Sequence, residues 1–261
     1  MTPHRVFKRI IKGSTRLRLG KNFKRKANAE ASFRAVIILK KILPIGAFNR
    51  VHDFLTRKSW PFVLTEHGFN QSLASYSRED VWAELMPALD LFERRGYEIF
   101  LAGGALLGLW RDRELPKFDD DLDVVVYRKG SSIEDAARDH SALRESFPEL
   151  DWSEHHARNA PNHVFFLKEG MIGVDVFPSW DVNPDFVFIY PSGKLPRDQI
   201  FPLIQYSDCG FRLPFPSKPE SLLEANYGDW TKPDNAFQFD WGNPMRKPEL
   251  RMYAEMRRNN L

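Results

Sequence analysis

The chain has 261 residues, of which 43% are hydrophobic and 13% aromatic, enough to bury the core of one large domain or two small ones. Its single cysteine, Cys209, excludes a disulfide framework and a Cys-rich zinc site. The net charge of +3 conceals an asymmetry. Residues 1–50, the basic arm, hold 14 of the 38 Lys and Arg and one of the 35 acids, a net charge of +13. Residues 51–261 therefore have a net charge of −10.

The basic arm mixes apolar residues among its Lys and Arg. Lys40, Lys41 and Pro44 interrupt its best apolar run, at 35–48, so no segment reaches the ~20 apolar residues that a membrane span needs. The pattern predicts either a helix on an anionic membrane surface or a solvated tail, and a mitochondrial presequence is a further alternative. We expect no nucleic acid, because no binding motif accompanies the charge. The expected location is the cytoplasm, free or at the inner face of the membrane.

From Ser77 onward the chain alternates helical and strand patterns. Ser77 is a predicted N-cap, and apolar residues then recur at helical spacing as far as Gly96. "YEIFLAGG" (97–104) is typical of a buried strand that ends on a glycine pair, and "ALLGLW" (105–110) of a short helix. "DLDVVVY" (121–127) predicts a second strand.

The following segments extend this mixed pattern. Residues after Ser131 have helical composition, 163–169 and 171–180 predict two strands joined by a tight turn, and 185–193 predicts a hairpin. The C-terminal third, rich in Pro and aromatic residues, predicts less regular structure. We therefore expect a mixed α/β fold.

Four carboxylates, Asp119, Asp120, Asp121 and Asp123, fall within five residues where the second strand begins. Alternation along a strand places Asp121 and Asp123 on one face. Their mutual repulsion requires a compensating charge, and Mg²⁺ binds carboxylate oxygens together with substrate phosphates. A further acid, Asp175, lies between two valines of another predicted strand. If the two strands are neighbours, the three acids form a site for one or two metal ions.

A glycine pair precedes this acidic run. Gly103 and Gly104 stand where a strand gives way to a helix, a place at which free backbone N–H groups let a phosphate approach closely. Arg111 follows on the predicted helix and is suited to hold a phosphate with two hydrogen bonds. The order of strand, glycine pair, helix, arginine, acidic strand and distant acid favours phosphate chemistry. No Walker A sequence and no Rossmann glycine fingerprint is present.

Three segments together resemble the LicD/fukutin family of phosphotransferases that act on glycans. They are "LAGGALLGLWRDRELPKFDDDLDVVV" (101–126), "VDVFPSW" (174–180) and "LLEANYGDWTKP" (222–233). The resemblance implies a nucleotidyltransferase-like mixed sheet flanked by helices and a reaction that depends on Mg²⁺ or Mn²⁺. In that reaction a phosphorylated group, such as choline phosphate or a polyol phosphate, moves from a CDP-linked donor to a hydroxyl of a cell-surface or lipid-linked glycan.

Carried over by residue, the family pattern makes Gly103 and Gly104 contacts of the donor phosphate, and Arg111 is assigned to the same group. The family pattern makes Asp121, Asp123 and Asp175 the catalytic acids and metal ligands. Asp119 and Asp120 either extend this site or cap its turn. The chain departs from the common pattern at Phe118, where many members have Trp, and at Ala105, where many have Thr or Ser and where a phosphate hydrogen bond is lost.

The charge distribution and the resemblance together predict a domain organisation. A basic arm and linker (1–74) precede a catalytic domain (75–245), and a charged tail (246–261) follows. Alternatives remain for the activity: transfer of NMP from an NTP to a small molecule or protein, or a non-catalytic glycan-binding role. Single residues also have alternative roles: Asp175 is alternatively an ion-pair partner of Arg111 or Arg113. Residues 227–229 more often shape a turn than carry chemistry, and His155, His156 and His163 are expected on the surface.

Overall fold

A computed structural model describes residues 44, 47, 50, 51, 54, 60–65, 68–150, 152, 164–167, 172–232, 251–253, 255 and 256. The chain divides into two compact units, Met1–Ser72 and Leu73–Leu261. Most of the basic arm and the three histidines named above lie outside the described residues, so their expected roles stay predictions. None of the helices in the described part is both long and apolar enough to cross a bilayer.

The first unit contains a short antiparallel hairpin. Its strands are β1 (Phe62–Thr65) and β2 (Gly68–Gln71), and their register pairs Phe62 with Gln71 and Thr65 with Gly68. The pairing closes the hairpin through two residues, a common loop length between antiparallel strands.

The second unit is centred on a six-stranded sheet in the order β3-β4-β6-β7-β8, with β5 also beside β6. The strands are β3 (Glu98–Leu101), β4 (Asp121–Tyr127), β5 (Val164–Leu167), β6 (Gly173–Asn183), β7 (Phe186–Ile189) and β8 (Gly193–Pro196). β4 and β6 run parallel, and the other pairs are antiparallel. With helices packed on β3 and β6, the expected mixed α/β fold with a central mixed sheet is confirmed.

Helix α1 (Arg78–Arg94) begins where the sequence predicts. The side chain of Ser77 accepts a hydrogen bond from the backbone N–H of Asp80 at 3.1 Å, which satisfies one of the free N–H groups of the first turn. One face of the helix buries Val81, Trp82, Leu85, Leu89 and Phe92. The helical spacing read from these apolar residues is therefore confirmed.

The parallel pairing of β4 with β6 requires a crossover between them, and the helical segment after Ser131 provides it. It contains α3 (Ile133–Ser141) and α4 (Leu143–Ser146). Ser132 and Asp135 form a reciprocal capping box at the start of α3. Later along α3, the Nε2 atom of buried His140 lies 2.8 Å from the Val176 carbonyl oxygen and so ties the crossover to β6.

The helix predicted after the glycine pair is confirmed, and it is longer than predicted. α2 (Gly103–Leu107) continues into a π-helical turn, Gly108–Asp112, which carries Arg111. π-Helical turns are rare and occur frequently at functional sites. A Cβ at Gly108 would lie 2.5 Å from the Glu114 carbonyl oxygen, so glycine is needed for the loop after the turn to pack back against it.

The prediction of less regular structure in the C-terminal third is wrong for residues 193–227. After β8 come α5 (Arg197–Ile200), the hairpin β9 (Ile204–Asp208) and β10 (Phe211–Phe215), and α6 (Pro219–Tyr227). The indole N–H of Trp82 donates to Asp208 Oδ2 at 2.6 Å and thereby ties the hairpin to α1. Further along, Tyr253 is buried, with its hydroxyl 2.6 Å from His140 Nδ1 and its ring stacked on Trp180.

Candidate active site

The three predicted acids lie together on one face of the sheet. β4 and β6 are parallel neighbours, and their register pairs Asp123 directly with Asp175. Residues paired across neighbouring strands share a face, and Asp121 shares it with Asp123 because the two are separated by one residue. Asp121 and Asp175 are only 6% and 1% exposed, while Asp123 is half-buried. The condition that the sequence left open, that these strands are adjacent, is met.

Asp121 stands in a strongly negative environment. Burial raises the pKa of its carboxyl group well above the usual range, and the charges of Asp119, Asp123, Asp175 and Asp120 raise it further. Concentrating five acids in this way is unfavourable unless a cation compensates them. The repulsion that the sequence predicts is therefore present in the fold.

The acids also suit a hard divalent cation. Asp119, Asp120 and Asp121 each offer an oxygen, and these three oxygens lie within 4.8 Å of one another. All the donors are carboxylate oxygens, the ligands that Mg²⁺ and Mn²⁺ prefer. This group shares Asp121 with the predicted set of Asp121, Asp123 and Asp175, so Asp121 is common to both. The residues present therefore fit a metal ion.

Asp119 both caps the turn before β4 and extends the acidic cluster, the two roles that the sequence left as alternatives. Its Oδ1 accepts a hydrogen bond from the backbone N–H of Asp120 at 3.0 Å, and its carbonyl oxygen accepts one from Leu73 N–H at 2.8 Å, which shapes the turn before β4. Its Oδ2 atom faces Gly104 so closely that a Cβ there would overlap it. One carboxylate thus caps the turn and extends the acidic cluster.

The glycine pair holds the start of α2 against these acids. Gly103 has φ +53°, a conformation that favours glycine, and a Cβ there would lie 2.5 Å from Asp123 Cγ. The backbone N–H of Gly104 donates to Asp123 Oδ2 at 3.3 Å. The N–H of Gly104 is therefore directed at a carboxylate, whereas the sequence assigns the pair to the donor phosphate. That phosphate contact stays a prediction.

We expect Gly103→Ala to destabilise the protein by about 2–6 kcal/mol, since a left-handed alanine costs roughly 1–3 kcal/mol and overpacking a similar amount. The overlap would also displace Asp123. Chemical denaturation of the variant and the wild type measures the difference in the free energy of unfolding.

Gly96→Ala is the matched control for this substitution. Gly96 has φ +82°, but its Cβ would meet nothing within 4 Å, so the control carries the backbone strain without the overlap. We expect it to cost only the backbone strain, about 1–3 kcal/mol. Equal destabilisation by the two substitutions would show that the contact between Gly103 and Asp123 is not tight.

The hydrogen bonds described for Arg111 are made with residues outside the acidic cluster. Its guanidinium pairs with Asp112 at 2.8 Å, and its Nη1 donates to the Trp230 carbonyl oxygen at 3.1 Å. Arg113, the other arginine considered for Asp175, donates to the hydroxyl of Tyr206 at 3.1 Å. The contacts described for both arginines are thus made with other groups. The phosphate role of Arg111 stays a prediction, and the π-helical turn holds its guanidinium at the wall of a cavity.

A cavity of about 400 Å³ opens next to the acidic cluster. Gly104 joins the two, because it lines the cavity and donates to Asp123. The other lining residues are Leu107, Gly108, Arg111, Asp112, Glu114, Leu115, Pro116, Lys117, Phe118, Tyr227, Asp229, Trp230 and Lys232. Its size is that of a small-molecule site, and it combines apolar walls and aromatic rings with both basic and acidic groups.

Two departures from the family pattern lie in different surroundings. Ala105 is fully buried within the hydrophobic core and is absent from the cavity lining, so a hydroxyl there would face the core. The expected loss of a phosphate hydrogen bond at this position is therefore not supported. Phe118 is 61% exposed and lines the cavity, where an aromatic side chain is available to a ligand.

From the sequence, a turn was favoured over a chemical role for the segment that contains Tyr227. Gly228 ends α6 with φ +64°, so the segment does form the turn that was favoured. Tyr227 itself lines the cavity, and its pKa is raised by burial and by the charges of Asp123 and Asp119, while Arg111 lowers it. It therefore lines the cavity within electrostatic reach of the acids. The Tyr-Gly-Asp segment was the available signal, but only the packing of α6 on α2 shows where the phenol lies.

Comparisons with known proteins find one family model that matches part of the chain. Residues 96–218 match the family model described as "LicD/FKTN/FKRP, nucleotidyltransferase domain". No curated protein matches the chain significantly. A solved structure of a lincosamide antibiotic adenylyltransferase, lincomycin-bound, is 18% identical with a TM-score of 0.34, covering 54% of this chain and 83% of its own. That likeness is too distant to bear on fold or activity. Residues 96–218 thus match the LicD family model, and this match supports assigning the chain to the LicD family.

Proposed function

We propose that the protein is a metal-dependent transferase that moves a phosphorylated group from a CDP-linked donor to a hydroxyl of a glycan. The family assignment indicates a transferase in general. The observation that carries the proposal is the pairing of Asp123 with Asp175 beside Asp121, next to a cavity that Gly104 also lines. Choline phosphate and a polyol phosphate are the proposed groups, and Mg²⁺ or Mn²⁺ the proposed ions.

The roles of the chain's residues follow from their positions. Asp121, Asp123 and Asp175, with Asp119 and Asp120 at the same edge, would hold the metal. A bound divalent ion supplies charge neutralisation for the phosphate oxygens and lowers the pKa of an oxygen bound to it. The cavity beside Gly104 orients the donor, with Phe118, Trp230 and the Arg111 guanidinium along its walls. The N–H of Gly104 holds the carboxylate of Asp123 in place.

The attack proposed here joins the acceptor hydroxyl oxygen to the donor's outer phosphorus and breaks the bond from that phosphorus to the bridging oxygen. CMP leaves with the bridging oxygen. The hydroxyl proton passes to a base among the carboxylates facing the site, which then releases it to water. CMP and the new phosphodiester together carry one more negative charge than the substrates, and the released proton balances it.

Calorimetric titration with Mn²⁺ present tests the donor. We expect one of CDP-choline, CDP-ribitol and CDP-glycerol to bind to the wild type and none to bind to Asp123→Asn. ATP and CTP are the matched controls, because transfer of NMP from an NTP is the second candidate and the matched family description is that of a nucleotidyltransferase domain. Tight triphosphate binding with indifference to all CDP conjugates would favour that second activity and overturn the first.

The location and partners of the protein also remain proposals. The net charge of +13 on the basic arm supports an anionic membrane surface as a partner, since each Lys or Arg near such a surface is worth about 1 kcal/mol. A lipid-linked glycan acceptor at the inner face of the membrane would then lie within reach of the active site. Nucleic acid is not among the partners proposed.

A further inference from the structure

Hydrogen bonds near the start of α6 and just beyond its end attach it to the π-helical turn that continues α2. Near its start, Trp110 Nε1–H donates to Glu220 Oε1 at 3.2 Å. Beyond its end, the carbonyl oxygen of Trp230 accepts from Arg111 Nη1 at 3.1 Å. Tyr227, the last residue of α6, is therefore held in place relative to the helix that carries the glycine pair.

Tyr227 is related both to the cavity and to the acidic cluster. It lines the same cavity as Gly104 and Arg111, and it lies within electrostatic reach of Asp119, Asp123 and Arg111. A ligand that fills the cavity and extends toward the acids passes this residue.

The chemistry of a phenol suits that position. A phosphate arriving beside five carboxylates is repelled by them, so it needs the metal and donors that carry no negative charge. A neutral phenol donates one hydrogen bond and adds no charge, and burial among acids raises its pKa and keeps its proton in place. Lys117 and Lys232 also line the cavity, and Lys232 pairs with Asp229 at 3.3 Å.

We propose that Tyr227 is a catalytic residue that donates its hydroxyl hydrogen bond to a phosphate oxygen of the substrate beside the acidic cluster. The proposal deepens the proposed function and rests on it for the identity of the donor, but the contact itself requires only a phosphate. The proton stays on Tyr227 throughout. The phenol thus stabilises charge on phosphate oxygens and takes no part in general acid–base transfer.

The test titrates pyrophosphate with Mn²⁺ into the full-length wild type, Tyr227→Phe and Tyr206→Phe. Tyr206 is the matched control: its hydroxyl donates to the Leu109 carbonyl oxygen at 3.2 Å and accepts from Arg113, yet it does not line the cavity. We expect Tyr227→Phe to weaken pyrophosphate binding about tenfold or more, the effect of losing a hydrogen bond to a charged group. Tyr206→Phe should leave it unchanged.

Titration of Mn²⁺ alone separates a phosphate contact from a positioning role. If Tyr227 instead positions Asp119 or Asp123, its loss would weaken Mn²⁺ binding, whereas the proposal expects equal Mn²⁺ affinity in all three proteins. Weakened Mn²⁺ binding, equal pyrophosphate affinity in the wild type and Tyr227→Phe, or no pyrophosphate binding by the wild type would each overturn the proposal. Tyrosine-dependent pyrophosphate binding with rejection of every CDP conjugate would instead overturn only the proposed donor.

Discussion

We expect Asp123→Asn to lower the transfer rate by about 1,000-fold while the protein remains folded. Metal stabilisation of phosphate charge is worth several kcal/mol, and each 1.4 kcal/mol changes a rate tenfold. Asp123 has a defined position in the site, because it pairs with Asp175 across the sheet and accepts the Gly104 N–H at 3.3 Å. Asparagine preserves the size of the side chain and removes its charge. Steady-state kinetics at saturating Mn²⁺ and donor measures the loss.

Asp90→Asn is the control for that experiment. Asp90 is an exposed carboxylate on α1, so its replacement removes one charge far from the acidic cluster and should leave the rate within twofold, as is usual for surface changes. Circular dichroism of both variants shows whether each is folded. Wild-type rates in folded Asp123→Asn would mean that this acid plays no part in the chemistry.

The sequence predicts the strands of this site well because local signals define them. "DLDVVVY" contains β-branched residues bounded by polar turns, and the observed β4 covers the same seven residues. The sequence cannot by itself show that β4 and β6 are neighbours, since strand pairing depends on a crossover of some 45 residues. The pairing of Asp123 with Asp175 is therefore seen only in the structure.

The hairpin of β9 and β10 was missed for a different reason. Its two-residue loop is Cys209-Gly210, with φ of 48° and 84°, the signature of a type I′ turn. Asn or Asp normally occupies the first position of such a turn because their side chains tolerate a positive φ. Cysteine is an uncommon residue there, and so the hairpin lacked the Asn-Gly or Asp-Gly signal from which it would be predicted.

Tyr227 illustrates a third limit of the sequence. Its neighbour Gly228 predicts a turn correctly, and a turn is a sufficient explanation for a Tyr-Gly-Asp segment. What the segment cannot show is that α6 packs on α2, which sets the tyrosine beside Gly104 and Arg111 in one cavity. Contacts between elements that lie more than 100 residues apart decide its role.

The acidic cluster predicts an inversion of stability. Without metal, we expect Asp121→Asn to be more stable than the wild type by roughly 1–2 kcal/mol, the gain typical of relieving a destabilised active site. Asp121 is buried among four other carboxylates, and asparagine removes the repelled charge. With Mn²⁺ at 100 times its dissociation constant, the wild type gains about 2.7 kcal/mol, or roughly 5–10 °C in Tm. Mn²⁺ should stabilise Asp121→Asn only slightly, because Asp121 belongs to both candidate sets of metal ligands. The wild type should therefore be the more stable protein when Mn²⁺ is present.

The pH dependence of the metal-free proteins checks the cause of this inversion. Because the pKa of Asp121 is raised on folding, the native state binds a proton more tightly than the unfolded chain, whose aspartates titrate near about 3.9. The contribution of Asp121 to the free energy of unfolding should therefore be highest at low pH, and it should fall as the pH rises through the raised pKa. Asp121→Asn should lack this fall, whereas Asp90→Asn should retain it. Denaturant titrations from pH 4 to pH 8 measure the slopes, and parallel curves for the wild type and Asp121→Asn would show that relief of the buried charge does not cause the inversion.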